Sequence, residues 1–269
     1  MTTVYTALRT MKMIADKGQV SDAVRVGQFI ARYSASLLSS GATTLRTERN
    51  VRRVAQRFGY DVLLTMMPLH VDVSIRDNDG QPVCLRSEPC TRGVDFYTIT
   101  ALSRLSWKIA DERIGMEQAE RMFSYVTSRC RYPLPVVMVA AGGANASFCR
   151  LFGGDAWAMF FVLIGTVLGF WLRHSLTSRG LDFRIGTMLS GVISTIIASG
   201  SHIFGLGNTA DVAVATSVLY LVPGIPYINS FSNFIHGHYV SSLTILLSAL
   251  EITVCLGVGL LCGTLILNY

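Results

Sequence analysis

Ten residues into the C-terminal apolar run that begins near Ser241 stands a carboxylate, Glu251. At about 1.5 Å of rise per residue that is roughly 15 Å along a helix, close to the midplane of a bilayer. An ionised group at that depth is costly. It would be either a structural carboxyl bonded to a neighbouring helix or snorkelling from a tilted one, or a group that couples to protons or contacts a solute. A second cue precedes it, in LYLVPGIPYINSFSNFIHGH over residues 219–238. There an apolar run that should continue as a helix is interrupted by Pro223, Gly224 and Pro226, and resumes with Asn229 and Asn233. The prolines donate no backbone hydrogen bond and the glycine lets the chain bend. Backbone freed at membrane depth must line a polar cavity or be buried in protein, and broken helices of this kind build solute sites in secondary transporters. A plain loop beneath a tilted span is the competing reading, although YINSFSNFI is apolar for a solvent loop.

The remaining polar candidates are weaker. Asn145 and His202, beside Ser201, are buried-polar by type but lack a fixed partner in the pattern. Asp211 opens an apolar run at about residue 209, where it caps a helix, a role Thr209 could share, or lines a pathway. His236 and His238 form an H-x-H without nearby carboxylates or thiols, a poor metal site. No metal or cofactor is expected. The six cysteines show no CxxC pairing and read as isolated reduced thiols.

Composition says what must position these groups. The chain of 269 residues is 51% hydrophobic and only 15% charged, with a mean hydropathy of +0.44. Soluble domains carry about a quarter charged residues, so the balance is that of a membrane protein. Residues 1–132 hold 19 of the 23 Lys/Arg and 13 of the 17 Asp/Glu, a net of +6, while residues 133–269 hold four of each. The division predicts a basic, water-soluble front domain over 1–132 and a membrane-embedded domain over 133–269. The N-terminus has no apolar core long enough for a signal peptide.

The front domain reads as small and α+β. Val26, Phe29, Ile30, Tyr33 and Leu37 recur at helical spacing over about 21–39. Thr43 or Thr44 caps a second helix through about residue 58, with Arg46, Arg49, Arg53 and Arg57 on one face. That face is either a solvated one or a contact for anionic lipid or solutes. HVDVSIRD at 70–77 alternates strictly and is followed by PVCLRS, so a hairpin turning at Asn78–Gly80 is expected. Two helices follow at about 96–111 and 116–129, and Tyr132-Pro133-Leu134-Pro135 closes the domain.

Five spans are expected, at about 135–152, 155–172, 185–204, 209–223 and 241–267. The fourth, at 15 residues or about 22 Å of helix, is too short to cross. The fold class is thus an α-helical polytopic membrane protein with five transmembrane helices behind a small cytoplasmic α+β domain. The loop RHSLTSRGLDFR shares the basic character of the front domain, so the positive-inside rule places both in the cytoplasm and the C-terminus outside. Gly165 with Gly169, Gly259 with Gly263, and AAGGANA at 140–146 mark close helix contacts.

These elements carry a resemblance. SGATTLRTERNVRRVAQRFGYDV, the hairpin, the YP before the first span, and LVPGIPYINSFSNFIHGHYVSS follow in an order that resembles the N-terminal module of the threonine/serine exporter family. The chain is most similar to the larger subunit of the two-component, succinate-export form. The most specific piece is VPGxPxIN with a following GH, matched at Val222, Pro223, Gly224, Pro226, Ile228, Asn229, Gly237 and His238. The resemblance implies secondary transport of a small polar metabolite, threonine/serine or a C4-dicarboxylate such as succinate, across a bacterial inner membrane. Single-chain members continue into a second membrane module where this sequence ends at Tyr269, so a smaller multi-pass membrane partner is implied; the resemblance supplies no site residues. Two other classes stand beside it. A structural or regulatory subunit would leave transport to the partner. A membrane-tethered enzyme or ligand sensor would need chemistry in the front domain, which has no GxSxG, HExxH, P-loop or GxGxxG and a single histidine, His70.

Overall fold

The computed structural model describes residues 22–67, 70–76, 82–88, 93–129 and 132–267. The expected turn at Asn78–Gly80 lies outside the described residues, as do Cys90 and Cys130; the four described cysteines are free. Two compact units divide the chain. One holds the described residues up to Arg129 together with Asn229–Thr244, and the other holds the described residues of 130–228 and 245–269.

The first unit is built from α1 (Asp22–Ser39), α2 (Thr44–Arg57), β1 (Val62–Met66), β2 (Val71–Arg76), β3 (Pro82–Ser87), α3 (Phe96–Asp111) and α4 (Met116–Ser128). The strands form an antiparallel sheet in the order β1-β2-β3, with Val62 opposite Ile75 and Val73 opposite Leu85. Val71, Val73 and Ile75 of the central strand point into the core, as their alternation demands. Strand β1 was not foreseen: VLLTM is apolar at four of five positions and shows no alternation to read. The apolar faces of α1, α3 and α4 meet in a core around Phe29, Tyr33, Leu102, Ile109 and Phe123. Phe29 and Phe123 stand edge to face at 5.6 Å. Thr43 caps α2, accepting from the Arg46 N–H at 3.3 Å, and Asp95 caps α3 through the Tyr97 and Thr98 N–H groups.

The basic face of α2 is occupied from within. Arg46 donates to Ser103, Arg57 to the Arg113 carbonyl, and Arg53 to Ser106 at 2.6 Å and Asn50 at 3.0 Å. The Arg53 guanidinium also lies 3.5 Å from the Trp107 ring centre. Three of the four arginines thus tie α2 to α3 or to the turn after it, which takes them from the anionic lipid or solute that the stripe suggested.

The second unit contains α5 (Leu134–Leu151), α6 (Ala156–Ser178), α7 (Phe183–Ala198) with its short continuation α8 (Gly200–Ile203), and α9 (Ala210–Ser217) followed by a 3-10 turn (Leu219–Leu221). Helix α10 (Gly224–Ile235) begins in this unit and ends in the first, and α11 (Tyr239–Ile266) does the reverse. Among the described residues four helices are long and apolar enough to cross hydrocarbon: α5, α6, α7 with α8, and α11. A fifth exists if Ala210–Leu221 and Gly224–Ile235, bent by 60° at their break, count as one. The chain is thus mostly helical, with four to five membrane-length spans and a small sheet near its N-terminus.

Short links join antiparallel neighbours. Asp155 caps α6 through the Ala158 N–H at 2.8 Å and also accepts the Asn208 N–H at 2.9 Å. These backbone N–H groups hold its carboxyl below the usual carboxylate range. Gly207, at φ +81°, lets the chain before α9 pass against that carboxylate, where a Cβ would collide. Thr209 accepts the Asp155 N–H at 2.9 Å, so its hydroxyl is engaged there and makes no cap bond to α9.

Candidate functional site

Helix α7 organises the second unit. Half of the α7–α8 window is buried, against 28% or less for the other three spans. Its buried face consists of Gly186, Thr187, Ser190, Gly191, Ser194, Thr195 and Ala198, all small, more than half of them hydroxylic. In a bilayer, where helices gain nothing by hiding apolar surface from one another, small residues allow close backbone approach and hydroxyls bond across helices. Both glycine pairs noted in the sequence meet this face. On one side Gly165 and Gly169 of α6 lie against Ser194 and Ser190; on the other Gly259 and Gly263 of α11 lie against Met188, Gly191 and Thr195. At Gly169 an added Cβ would strike the hydroxyls of both Tyr220 and Ser194.

A polar seam follows. Ser194 donates to the Gly165 carbonyl at 3.0 Å, and its hydroxyl lies 3.0 Å from that of Tyr220, in the 3-10 turn before the break. Asn145 on α5 donates to Thr166 at 2.7 Å and to the Ser217 carbonyl at 3.4 Å. Ser190 and Thr195 are buried with hydroxyls that find no partner among the described residues. Near the end of α6, Arg173 lies against three rings, Phe170 at 5.2 Å, Phe183 at 5.3 Å and Tyr220 at 5.9 Å from their centres.

The break itself is local. Pro223 is buried; Gly224 starts α10, and Pro226 stands in its first turn, where a missing N–H is one that no carbonyl would accept. Of the two prolines, Pro223 therefore marks the interruption, and Pro226 is compatible with the helix that restarts. Tyr227, one residue on, bonds Thr253 of α11 at 2.7 Å.

A family model described as "Putative threonine/serine exporter" matches residues 28–267. The chain belongs to the threonine/serine exporter family. It is 24% identical over 249 residues to the "Probable succinate transporter subunit YjjP" of Klebsiella aerogenes, covering 91% of this chain and 95% of that protein. The Escherichia coli K12 protein of the same name is 25% identical, over 82% of this chain and 88% of its own length. A "Probable threonine/serine exporter" of Mycobacterium tuberculosis is 26% identical over 86% of this chain but only 44% of its own length. No solved structure matches the chain significantly. These relatives are named as transporters and exporters rather than enzymes, and this family member is a membrane transport protein.

Within this exporter-family chain the nine candidates separate. Asn145 is buried in the α7 seam, and Pro223, Gly224 and Pro226 form the break at its edge. Glu251 is exposed and pairs with Arg184, in the first turn of α7, at 2.9 Å. Thr253 bonds Tyr227 beside the break; two residues along a helix are about 200° apart, so Glu251 points away from it. Asp211 and His202 are exposed at the ends of α9 and α8. Asn229 and Asn233 belong to the first unit: Asn229 donates to the Gly41 carbonyl at 2.9 Å, and Asn233 accepts the Thr44 N–H at 3.4 Å and donates to Ser241. Their amides thus serve the link between α1 and α2. Sequence reasoning passed over Thr187, Ser190, Ser194, Thr195 and Tyr220. The signal was there, as small residues recurring at i, i+4 and i+1, i+5 along 186–198, but no single one is ionisable.

Proposed function

We propose that this chain is a subunit of a secondary transporter that exports small polar metabolites, threonine/serine or a C4-dicarboxylate such as succinate, with a smaller membrane partner. The observation that carries this reading is the broken helix beside the α7 seam, where Tyr220 on the last turn before the break bonds Ser194. Two buried hydroxyls of α7, Ser190 and Thr195, find no partner among the described residues.

The substrate class rests on the names of the relatives, two of which are called succinate transporter subunits and one a threonine/serine exporter. The word subunit in the names of two relatives supports a partner. The front domain through residue 132 faces the cytoplasm and the C-terminus lies outside the inner membrane, following the basic front domain and the Arg179–Arg184 link.

The test is metabolite release from cells expressing this chain alone and together with a candidate smaller multi-pass membrane protein. Release of succinate or of threonine and serine above the empty-vector level is expected only with both present. Equal release from empty-vector cells for all three compounds would sink the reading.

A further inference from the structure

We infer that Arg173 receives the carboxylate of the exported metabolite, a proposal that rests on the transport reading above and deepens it. Residues 133–269 contain four Lys/Arg, Arg150, Arg173, Arg179 and Arg184. Arg150 donates to the Gly154 carbonyl, and Arg184 is neutralised by Glu251. Arg179 is exposed in the link after α6, whereas Arg173 is partly buried within that helix. Among the described residues no ion pair includes it and no oxygen accepts from its guanidinium. It is held instead on the faces of Phe170, Phe183 and Tyr220.

Aromatic faces fix a guanidinium without consuming its hydrogens. The cation is attracted to the ring, while its N–H groups point outward in the plane of the fork, the geometry that takes a carboxylate with two parallel bonds. Clasped by three rings and without a counter-charge among the described residues, Arg173 would give an arriving anion more than a solvated surface arginine does. The surroundings extend the site. Tyr220 carries its hydroxyl to Ser194 at 3.0 Å, and Ser190, one helical turn from Ser194, has a buried hydroxyl that finds no partner among the described residues. Gly169, one turn before Arg173 on α6, leaves the space those hydroxyls occupy. A fixed cation beside hydroxyl donors and acceptors suits a carboxylate carried on a small polar body. Both classes of metabolite in the transport reading contain that group.

The test uses everted membrane vesicles from cells expressing the full chain with the smaller membrane partner of the transport reading, which turns export into uptake of added solute. Uptake of radiolabelled succinate and L-threonine is measured for the wild type, Arg173→Gln and Arg173→Lys, with equal abundance of the chain verified. Arg173→Gln is expected to raise the half-saturating concentration about 10- to 100-fold, the usual worth of a charge-assisted pair, with Arg173→Lys between. In the wild type, succinamide and serinol, which lack the carboxylates of succinate and serine, are expected to compete at least about 10-fold less well than the acids. That arm tests whether a carboxylate is recognised at all, and if Arg173→Gln fails to accumulate the comparison of half-saturation is made with Arg173→Lys. Unchanged half-saturation in Arg173→Gln, or equal competition by acid and uncharged analogue, would overturn the assignment while leaving the transport reading intact. No uptake of either solute by the wild type would instead reject the transport reading. The same fork could hold a lipid phosphate. If phosphatidylglycerol in phosphatidylcholine nanodiscs raises the melting temperature only when Arg173 is present, and acid and analogue compete equally, the cation belongs to lipid and the assignment fails.

Discussion

Arg184 and Glu251 form an ion pair at 2.9 Å between the first turn of α7 and the middle of α11. The register continues along both helices, with Met188 and Gly191 beside Gly259, and Thr195 beside Gly263, so α7 and α11 run in the same direction. The one carboxylate inside the C-terminal run is therefore level with the start of α7, paired with a cation and turned from the helix break. This pairing makes the structural alternative for Glu251 specific. Glu251→Gln and Arg184→Gln should each lower membrane abundance and export. The exchange Arg184→Glu with Glu251→Arg should restore most of both, measured by immunoblot and efflux. A carboxyl that carried the coupled proton would not be rescued by moving it to the partner helix.

The close approach of α7 and α11 gives a second prediction. An added Cβ at Gly263 would lie 2.7 Å from the Thr195 Cβ, and one at Gly259 would strike the Met188 carbonyl, whereas at Gly257 it meets nothing within 4 Å. Gly259→Ala and Gly263→Ala should each destabilise the chain by about 1–3 kcal/mol through overpacking. Gly257→Ala should be neutral in the same thermal melts. Equal behaviour of all three would mean that the helices do not meet through this face.

Asn229 and Asn233 offer a third test, because their amides are engaged with backbone of the first unit. Asn233 accepts the N–H of Thr44, the first residue of α2, a donor that the helix itself leaves unsatisfied. The double replacement Asn229→Ala with Asn233→Ala should accelerate amide exchange at residues 41–47 and leave exchange in β2 unchanged. If exchange at 41–47 does not respond, these amides do not hold that turn.

The core of the first unit predicts an alkaline limit. Tyr33 is buried and donates to the Leu102 carbonyl at 2.7 Å, and burial pushes its hydroxyl well above the ordinary value of 10.0. Because the folded value is raised, the contribution is fully present below pH 10.0 and is lost as pH climbs toward the folded value. Tyr33→Phe should cost about 1 kcal/mol at neutral pH by removing the bond. It should also flatten the decline in urea midpoint above pH 10.0, by the linkage just described. A decline as steep in the variant would place its origin in other tyrosines.

Much of this architecture is written in local pattern. The alternation of Val71, Val73 and Ile75, the helical spacing of Phe29, Tyr33 and Leu37, and the length of the apolar runs each encode an element within a few residues of chain. So do Pro223 and Gly224, whose backbone chemistry interrupts a helix whatever surrounds it. The glycine pairs at 165/169 and 259/263 announced close contacts, and spacing alone was enough, since only a residue without a side chain leaves that room.

Partners are a different matter, because a side chain's periodicity does not say what it meets. In the sequence Arg173 opens RHSLTSRGLDFR and counts as one more positive charge in a link. In the fold α6 runs on to Ser178, which puts Arg173 on the same helix face as Phe170, while Phe183 and Tyr220 arrive from positions ten and 47 residues away. The hydroxyls of α7 look like a weakly polar helix until Gly165, Gly169, Gly259 and Gly263 close over them. Glu251 looks isolated until Arg184, 67 residues earlier, comes beside it. Helices and strands form from interactions within a few residues, whereas a site forms from side chains brought together across long loops, and that closure is a property of packing.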